Sequence, residues 1–316
     1  MSFPYNTIEK EYIPCNFCKN ENYHVMSTKG KDGLKLNSVI CKICGLIFIN
    51  PRMTKSSYGL YYEQEYRDKS IVNGDMGSGF DCKKLFDSTI RHGYFLAEFI
   101  KPYLKVEGSI MEVGSGVGGV LEGIRQKINR EVIGLEPSFK ESEYANSKGI
   151  VTHNTLIEDY LRVERCAVII STQSLNHFLD PRYFLEWSHK SLVDGGIILI
   201  EVMNFREQLY KAGKINNAVK IDHVYMFTPE VLRDFVKSAG FEILVMEVDE
   251  YKKKPKTQGI PSIHIRIIGR KLNVVPFKKI IIDPNNYFRT LLLTNKYIVY
   301  AKYFLFTKIP RILMNK

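Results

Sequence analysis

The stretch at residues 109–119, SIMEVGSGVGG, constrains the fold more than any other part of the chain. A short apolar run meets four glycines within six positions, and VLEGIRQK then continues with helical spacing. Strand, glycine turn and helix N-terminus in that order bring backbone close to a ligand, because glycine accepts positive φ without penalty. Gly114, Gly116 and Gly119 have the G-x-G-x-x-G spacing of a pyrophosphate-holding turn. Gly114, Gly116 and Gly118, with Glu112 ahead of them, spell E-x-G-x-G-x-G instead. A carboxylate at the mouth of the turn repels a pyrophosphate and suits a ligand carrying ammonium and sulfonium charge. Glu136, at the end of the next strand in GLEPS, is placed to accept hydrogen bonds from ribose hydroxyls and fits either ligand.

Around this turn the pattern alternates. Strand-like runs at 109–113, 132–135, 150–153, 167–172 and 197–202 are separated by helical stretches at 118–128, 138–147 and 181–192. Such alternation predicts a doubly wound α/β sheet covered on both faces. A helix over 84–104 precedes it. A helix over 229–239, with Thr228 as cap and Pro229 in its first turn, runs into the strand FEILVMEV, and SIHIRIIGR closes the domain near residue 270. The Gly/Asp/Ser stretch NGDMGSGFD reads as a mobile loop.

Four of the six cysteines form two C-x-x-C pairs, Cys15/Cys18 in CNFC and Cys41/Cys44 in CKIC, 22 residues apart. Two such turns can aim four thiolates at one point, which is the zinc-ribbon arrangement. All four positions being thiolates, the expected zinc is structural rather than catalytic. Cys82 and Cys166 stand at no metal spacing and read as ordinary thiols.

The 45% apolar and 25% charged fractions are those of a soluble globular protein. No export-signal pattern and no membrane-spanning apolar run is seen, so the expected location is cytoplasmic. Net charge is +11, concentrated at the C-terminal end: residues 271–316 hold nine Lys/Arg against the single acid Asp283. That points to a surface such as an anionic membrane or a partner more than to nucleic-acid readout. NNYFRTLLLTNKYIVYAKYFLFTKIPRILM mixes basic and bulky apolar residues without one clean helical stripe. Lying peripherally on a membrane, packing as helices on the core and making a dimer contact all fit it.

Further motifs join the glycine turn. After the fourth strand comes STQSLNHFLDPRYFLEWSHKSLVDGGIILIEV, with Leu175-Asn176-His177 in place of an L-E-H-like triplet and Asp194-Gly195-Gly196 in place of a P-G-G-like turn. Further on, DHVYMFTPEVLRDFVKSAGF is similar to H-x-x-x-F-T/S-P-E-x-L-x-x-x-L-x-x-A-G-F. In this order and spacing the motifs resemble a class I S-adenosylmethionine-dependent methyltransferase with an N-terminal zinc ribbon, over roughly residues 15–270. The resemblance implies a seven-stranded Rossmann-like sheet, residues 1–55 as ribbon, 56–105 as linker and cap helices, 106–270 as the S-adenosylmethionine domain and 271–316 as a basic aromatic extension.

It also implies residue roles. Glu112, Gly114, Gly116 and Gly118 would hold the methionine part of the cofactor and Glu136 the ribose. Thr155 and Leu156 would cover the adenine, although Leu156 fits core packing equally, and Gln173 and Ser174 would line the methionine side. His177 and His223 are the candidate bases, with Asp222 orienting the imidazole. Asp222-His223 is similar to the D/E-H pair of ribbon-bearing sugar C-methyltransferases, but YYEQEYRDKS departs from the Y-x-Y-x-S-S-like stretch of that group. Tyr62 and Tyr66 are candidates to reach over the site. The acceptor implied is a hydroxyl of a sugar or sugar-containing intermediate of bacterial surface glycans. C-methylation of a keto-deoxysugar nucleotide is the alternative. An RNA substrate is a weaker one, since the N/D-P-P-Y/F tetrad is missing after strand four.

Overall fold

The computed structural model describes residues 4–5, 7–64, 81–250 and 263–305. NGDMGSGF, Tyr66 and residues 306–316 lie outside them. The N-terminal part holds β1 (Lys10–Glu11), β2 (Tyr23–Lys29), β3 (Lys35–Cys41), β4 (Ile47–Ile49), β5 (Arg52–Met53) and α1 (Lys55–Gln64). After α2 (Cys82–Ile100) come β6 (Ser109–Val113), α3 (Gly119–Lys127), β7 (Val132–Leu135), α4 (Phe139–Ser147), β8 (Val151–His153), β9 (Cys166–Thr172), α5 (Pro181–Ser191) and β10 (Leu192–Met203). The chain continues through α6 (Phe205–Ala212), α7 (Ile215–Ala218), β11 (Tyr225–Met226), α8 (Pro229–Ser238), β12 (Phe241–Val248) and β13 (His264–Lys271). Two helices end it, α9 (Asn286–Leu293) and α10 (Lys296–Tyr303).

The large sheet has seven strands in the order β12-β13-β10-β9-β6-β7-β8. Pairs β8 through β10 are parallel, and β13 is inserted antiparallel between β10 and β12. Alternation along each central strand splits the core. Ile110, Val168, Ile170, Ile197 and Leu199 pack under α2, α3 and α4, whereas Met111, Val113, Ile169, Ile198 and Ile200 face α5, α8 and the cysteine-bearing segment. Gly119, the first residue of α3, also sets the spacing of α2: a Cβ there would lie 2.1 Å from Thr89 Oγ1 and 2.5 Å from the Phe86 carbonyl.

Two local expectations are corrected. Asp194-Gly195-Gly196 is no separate turn; it lies inside β10, where the register to β9 slips between Leu192 and Ile197 and Gly195 adopts φ 79°. The irregularity takes up the glycines without ending the strand, as a bulge does. Thr228 occupies the N-cap of α8 with extended backbone, but its hydroxyl makes no capping hydrogen bond.

A second, antiparallel sheet runs β11-β4-β3-β2, so a strand from far along the chain completes the N-terminal meander. Its core is continuous with that of the large sheet, Phe17 packing on Phe235 at 4.8 Å between ring centroids.

One row of polar side chains crosses the α2 face of the large sheet. Glu201 on β10 pairs in register with Thr172 on β9 and Arg266 on β13. The Arg266 guanidinium donates to Glu201 Oε2 (2.5 Å) and, in a fork, to both Asp249 oxygens (3.1 and 2.7 Å), with Phe95 5.2 Å beneath it. His92 from α2 meets Glu201 Oε1 at 2.8 Å. Burial opposes ionisation of Glu201, yet His92, His264 and Arg266 hold its carboxyl below the usual range. Removing one member strands the others in a dry interior. Arg266→Met is therefore expected to lower stability by about 3–5 kcal/mol, measured as a shifted denaturant midpoint. An unchanged midpoint would show that the row is dispensable.

Candidate active site

The glycine turn lies at the C-terminal end of β6, beside β9, where the strand order reverses and α/β sheets open a crevice. Gly114, Gly116 and Gly118 have φ of 79°, 53° and 80°, each in the left-handed region. Gly114 has a second reason to lack a side chain: a Cβ there would come 2.3 Å from Ser174 Oγ. That hydroxyl donates instead to the carbonyls of Gly114 (3.2 Å) and Thr172 (2.9 Å), fixing the loop after β9 onto the loop after β6.

Two acids flank the turn. Glu136 accepts from the amides of Gly116 and Ser138, both at 2.8 Å, which aligns its carboxylate with the loop. Asn154 donates to the carbonyls of Glu136 and Pro137 and so holds the neighbouring Thr155 and Leu156, both half-buried, at the end of β8. The Thr155 hydroxyl itself bonds locally, to the Leu156 carbonyl at 3.2 Å. Glu112 is buried and accepts from the Thr172 hydroxyl, while its Oε2 has no hydrogen bond among the described residues. Burial pushes its carboxyl up to about 8, with Glu136 and Glu201 adding to the effect and the Thr172 bond opposing it.

Gln173 is the one non-glycine residue of this loop with positive φ, 55°. Its amide donates to the main-chain carbonyl of Glu201 at 2.7 Å, so β10 also anchors the turn. The loop carries on directly to His177, whose amide donates to the Ser174 carbonyl at 2.8 Å. The His177 ring stands edge-on to His223, with centroids 4.8 Å apart, and its Nδ1 is 3.9 Å from Asp222 Oδ2. The structure thus brings together the three residues singled out as catalytic candidates, from segments 45 residues apart in the chain. Burial holds the His223 imidazole down to about 3, partly offset by Asp222, so it is neutral near neutral pH. Burial works to raise the Asp222 carboxyl, but His223, His177 and Lys220 together keep it below its ordinary value. Tyr62 on α1 lies edge-on to His177 at 6.4 Å.

The N-terminal segment builds this second half of the site. The Val224 and Val219 carbonyls accept from the Ile49 and Lys31 amides, at 2.9 and 2.7 Å, and the Tyr58 hydroxyl donates to the Ile221 carbonyl at 3.1 Å. Arg52 is the main clasp. It pairs with Glu11 at 2.9 Å, donates to the Leu179 carbonyl, and lies 3.3 Å from the Tyr225 hydroxyl. Asn16 bonds Asp180 Oδ1 (2.7 Å) and accepts the Arg182 amide (2.8 Å) at the start of α5. Arg52, Tyr225 and Thr172 were not among the residues expected from sequence. Only their place beside recognised motifs (PRM after β4, YMFTPE, and ST before QSLNH) marks them there.

The four cysteines are assembled by two equivalent turns. Cys15 and Cys41 each accept from the amide four residues on (Lys19, 2.8 Å; Gly45, 3.0 Å), and each donates to the carbonyl five residues on (Asn20 and Leu46, both 2.9 Å). Lys19 and Gly45 both take positive φ, 59° and 77°. Sulfur atoms sit 3.5 Å apart in the pairs Cys15–Cys44 and Cys18–Cys41, and all four lie within 4.8 Å of one another without a disulfide. A tetrahedral zinc with bonds of ~2.3 Å needs sulfurs ~3.8 Å apart, so the donor set fits that ion.

Residues 89–245 match a family model described as a methyltransferase domain. Among solved structures, the chain is similar to the plantazolicin methyltransferase BpumL in complex with SAH, with a TM-score of 0.50 and 14% identity over 68% of this chain and 93% of that one. The same enzyme with a monoazolic desmethylPZN analog and SAH gives 0.50 and 15% over the same shares. No curated protein matches the chain by sequence. A seven-stranded sheet in this order, with the glycine turn at its switch point and that family match across it, identifies the chain as an S-adenosylmethionine-dependent methyltransferase built on a class I domain.

Proposed function

We propose that the enzyme methylates a hydroxyl of a sugar or sugar-containing intermediate, with His223 taking the proton and Asp222 and His177 setting its position. The observation that carries this is the contiguity of the two halves: Ser174 locks onto the glycine turn and, three residues later, His177 meets Asp222-His223. S-adenosylmethionine supplies an electrophilic methyl group on a sulfonium. Glu112, with its buried unbonded oxygen, and Gly114, Gly116 and Gly118 would hold its methionine part. Glu136 would hold the ribose, Thr155 and Leu156 the adenine, and Gln173 and Ser174 the methionine side. Attack by a neutral hydroxyl yields a protonated ether, a strong acid, so even the weakly basic buried imidazole can remove its proton. Asp222, held ionised, stabilises the imidazolium that results. In the alternative, C-methylation of a keto sugar, the same pair would have to take a far less acidic α-proton, for which an imidazole held this low is poorly suited. Wash-in of solvent deuterium at that carbon would mark the second reaction, and an ether product the first. We further propose that Cys15, Cys18, Cys41 and Cys44 hold a structural zinc ion, since a closed set of four thiolates leaves no position for substrate.

With nucleotide-linked and lipid-linked saccharides as acceptors, His223→Ala should lose turnover by about 100-fold or more while S-adenosylhomocysteine binding stays intact. Gly116→Val should lose both, its φ of 53° being forbidden to valine. Unchanged turnover in the first variant would remove His223 from the mechanism.

The raised Glu112 carboxyl gives a pH dependence. Folded Glu112 keeps its proton to about 8 against 4.5 ordinarily. Its contribution to stability is therefore complete below the ordinary value and is lost as the pH rises through the folded one. A ligand ammonium that recruits the carboxylate must displace that proton. Affinity for S-adenosylhomocysteine should therefore climb by up to about tenfold per pH unit below the folded value. Calorimetry across that window should show the slope in the native enzyme and a flat profile in Glu112→Gln. A slope retained in Glu112→Gln would assign it to another group.

Replacing Cys41 with serine should release the metal, seen by elemental analysis. It should also lower the melting temperature, because β3 and β4 carry the partner of β11. A variant that keeps one zinc per chain would contradict the ligand assignment.

A further inference from the structure

The C-terminal segment leaves much of its apolar surface outward. On α9, Asn286 and Thr290 are the buried residues, each 1% exposed, while Phe288 and Leu292 on the opposite side are 61% and 60% exposed. A helix lying on a protein normally turns its apolar side inward. The polar side is committed: Asn286 Nδ2 donates to Asp234 Oδ2 on α8 at 2.8 Å, and the Asp283 amide binds the same oxygen at 2.8 Å. The backbone of Asn286 also sits against the second cysteine turn, where a Cβ on Gly45 would come within 2.8 Å of it. Tyr287 and Leu291 pack partly against the core, but the hydrogen-bonded side carries Asn286 and Thr290 and leaves Phe288 and Leu292 outward. On α10, Val299 is buried, but Tyr297 and Tyr300 are 73% and 57% exposed, and Phe304 follows them to the surface. Of the large apolar side chains exposed among the described residues, twelve lie within 272–305 and nine elsewhere.

This apolar face is also cationic. Residues 271–305 carry six Lys/Arg and one acid, Asp283, which is engaged by Arg289 at 2.6 Å. Lys278, Lys279, Arg289 and Lys302 are all exposed. A second copy of the chain is a poor occupant, because a two-fold contact would set this face against itself and bring like charges together. An anionic lipid surface meets both features: headgroups offset the cations, and aromatic and aliphatic side chains enter the boundary with the acyl chains. Among the described residues no helix is long and apolar enough to cross a membrane, so the contact lies in the plane of the surface.

We propose that the face formed by α9 and α10 docks the enzyme on an anionic membrane surface through Phe288, Leu292, Tyr297 and Tyr300, with the exposed Lys278 and Lys279 adding attraction to the headgroups. The test is flotation of the full chain with phosphatidylcholine vesicles, with and without phosphatidylglycerol. Binding is expected only where phosphatidylglycerol is present, and should weaken as salt is raised. The double substitution Phe288→Ser/Leu292→Ser, at exposed positions outside the active site, should reduce it by about tenfold or more with S-adenosylhomocysteine affinity unchanged. The proposal is overturned if the native chain fails to float with the anionic vesicles, or if native and substituted chains float alike. It is also overturned if the native chain is a stable dimer that the same substitutions dissociate without any vesicle binding.

Discussion

The pairing of Tyr225 and Met226 with Phe48 and Ile47 is the contact on which the rest of the site depends. It is only two residues long, yet it places His223 two and Asp222 three positions from a paired strand. The Tyr225 amide also donates to the Asn176 carbonyl, the residue next to His177. One short strand therefore sets both histidines at once, and the sheet it completes is anchored by the turns that gather the cysteines. A module of this size has little core of its own. Sharing a sheet and a core with the large domain supplies what it lacks, and in return the module stiffens the segment that needs to be held.

Charge placement follows the same division. Beside the parallel strands, Arg266, Asp249, Glu201 and His92 satisfy one another, so the row is fixed, and Glu201 is held ionised. Glu112 lies toward the same side of the sheet but among the described residues has only the Thr172 hydroxyl as hydrogen-bond partner, and burial keeps it protonated near neutrality. The contrast is one of partners rather than depth, since both carboxyls are fully buried. A buried acid with an unused oxygen beside a glycine turn is poised for a cationic ligand. On the other side of the crevice the order reverses: Asp222 is the ionised member, and His223 is held neutral by the same burial.

Much of this was legible in the sequence, for a physical reason. The glycine turn, the two C-x-x-C turns and the alternation of strands and helices are short-range patterns, and a backbone that requires positive φ or four converging thiolates leaves its mark in residue identity. The strand-to-helix order across 109–202 therefore matched the elements seen, apart from Asp194-Gly195-Gly196, where glycine freedom served a bulge inside β10 instead of a turn before it. Long-range partners leave no such mark. YM in DHVYMFTPE is too short to read as a strand, and Arg52, Arg266 and His92 acquire meaning only when segments far apart meet. Thr228 shows the converse: a residue of capping type at a capping position whose hydroxyl does not cap.

The C-terminal segment is where periodicity misleads most. Apolar residues at helical spacing ordinarily mark the side that packs inward, and the absence of one clean stripe from 286 to 303 reads as ambiguity. The ambiguity disappears once the anchors are known. Asp234 and Ser238 on α8 bind the segment through Asn286, the Asp283 amide and the Ile281 amide, all polar groups. Phe277, at φ 56°, turns the chain while its ring packs between Phe235 and the Arg182 guanidinium. With Asn286 and Thr290 on the protein side and Tyr287 and Leu291 only partly against the core, Phe288 and Leu292 are left on the outer surface. Gly45, by leaving room for the Asn286 backbone, ties that orientation to the cysteine turn itself. The same module that positions His177 and His223 thereby also determines which way the exposed apolar face points.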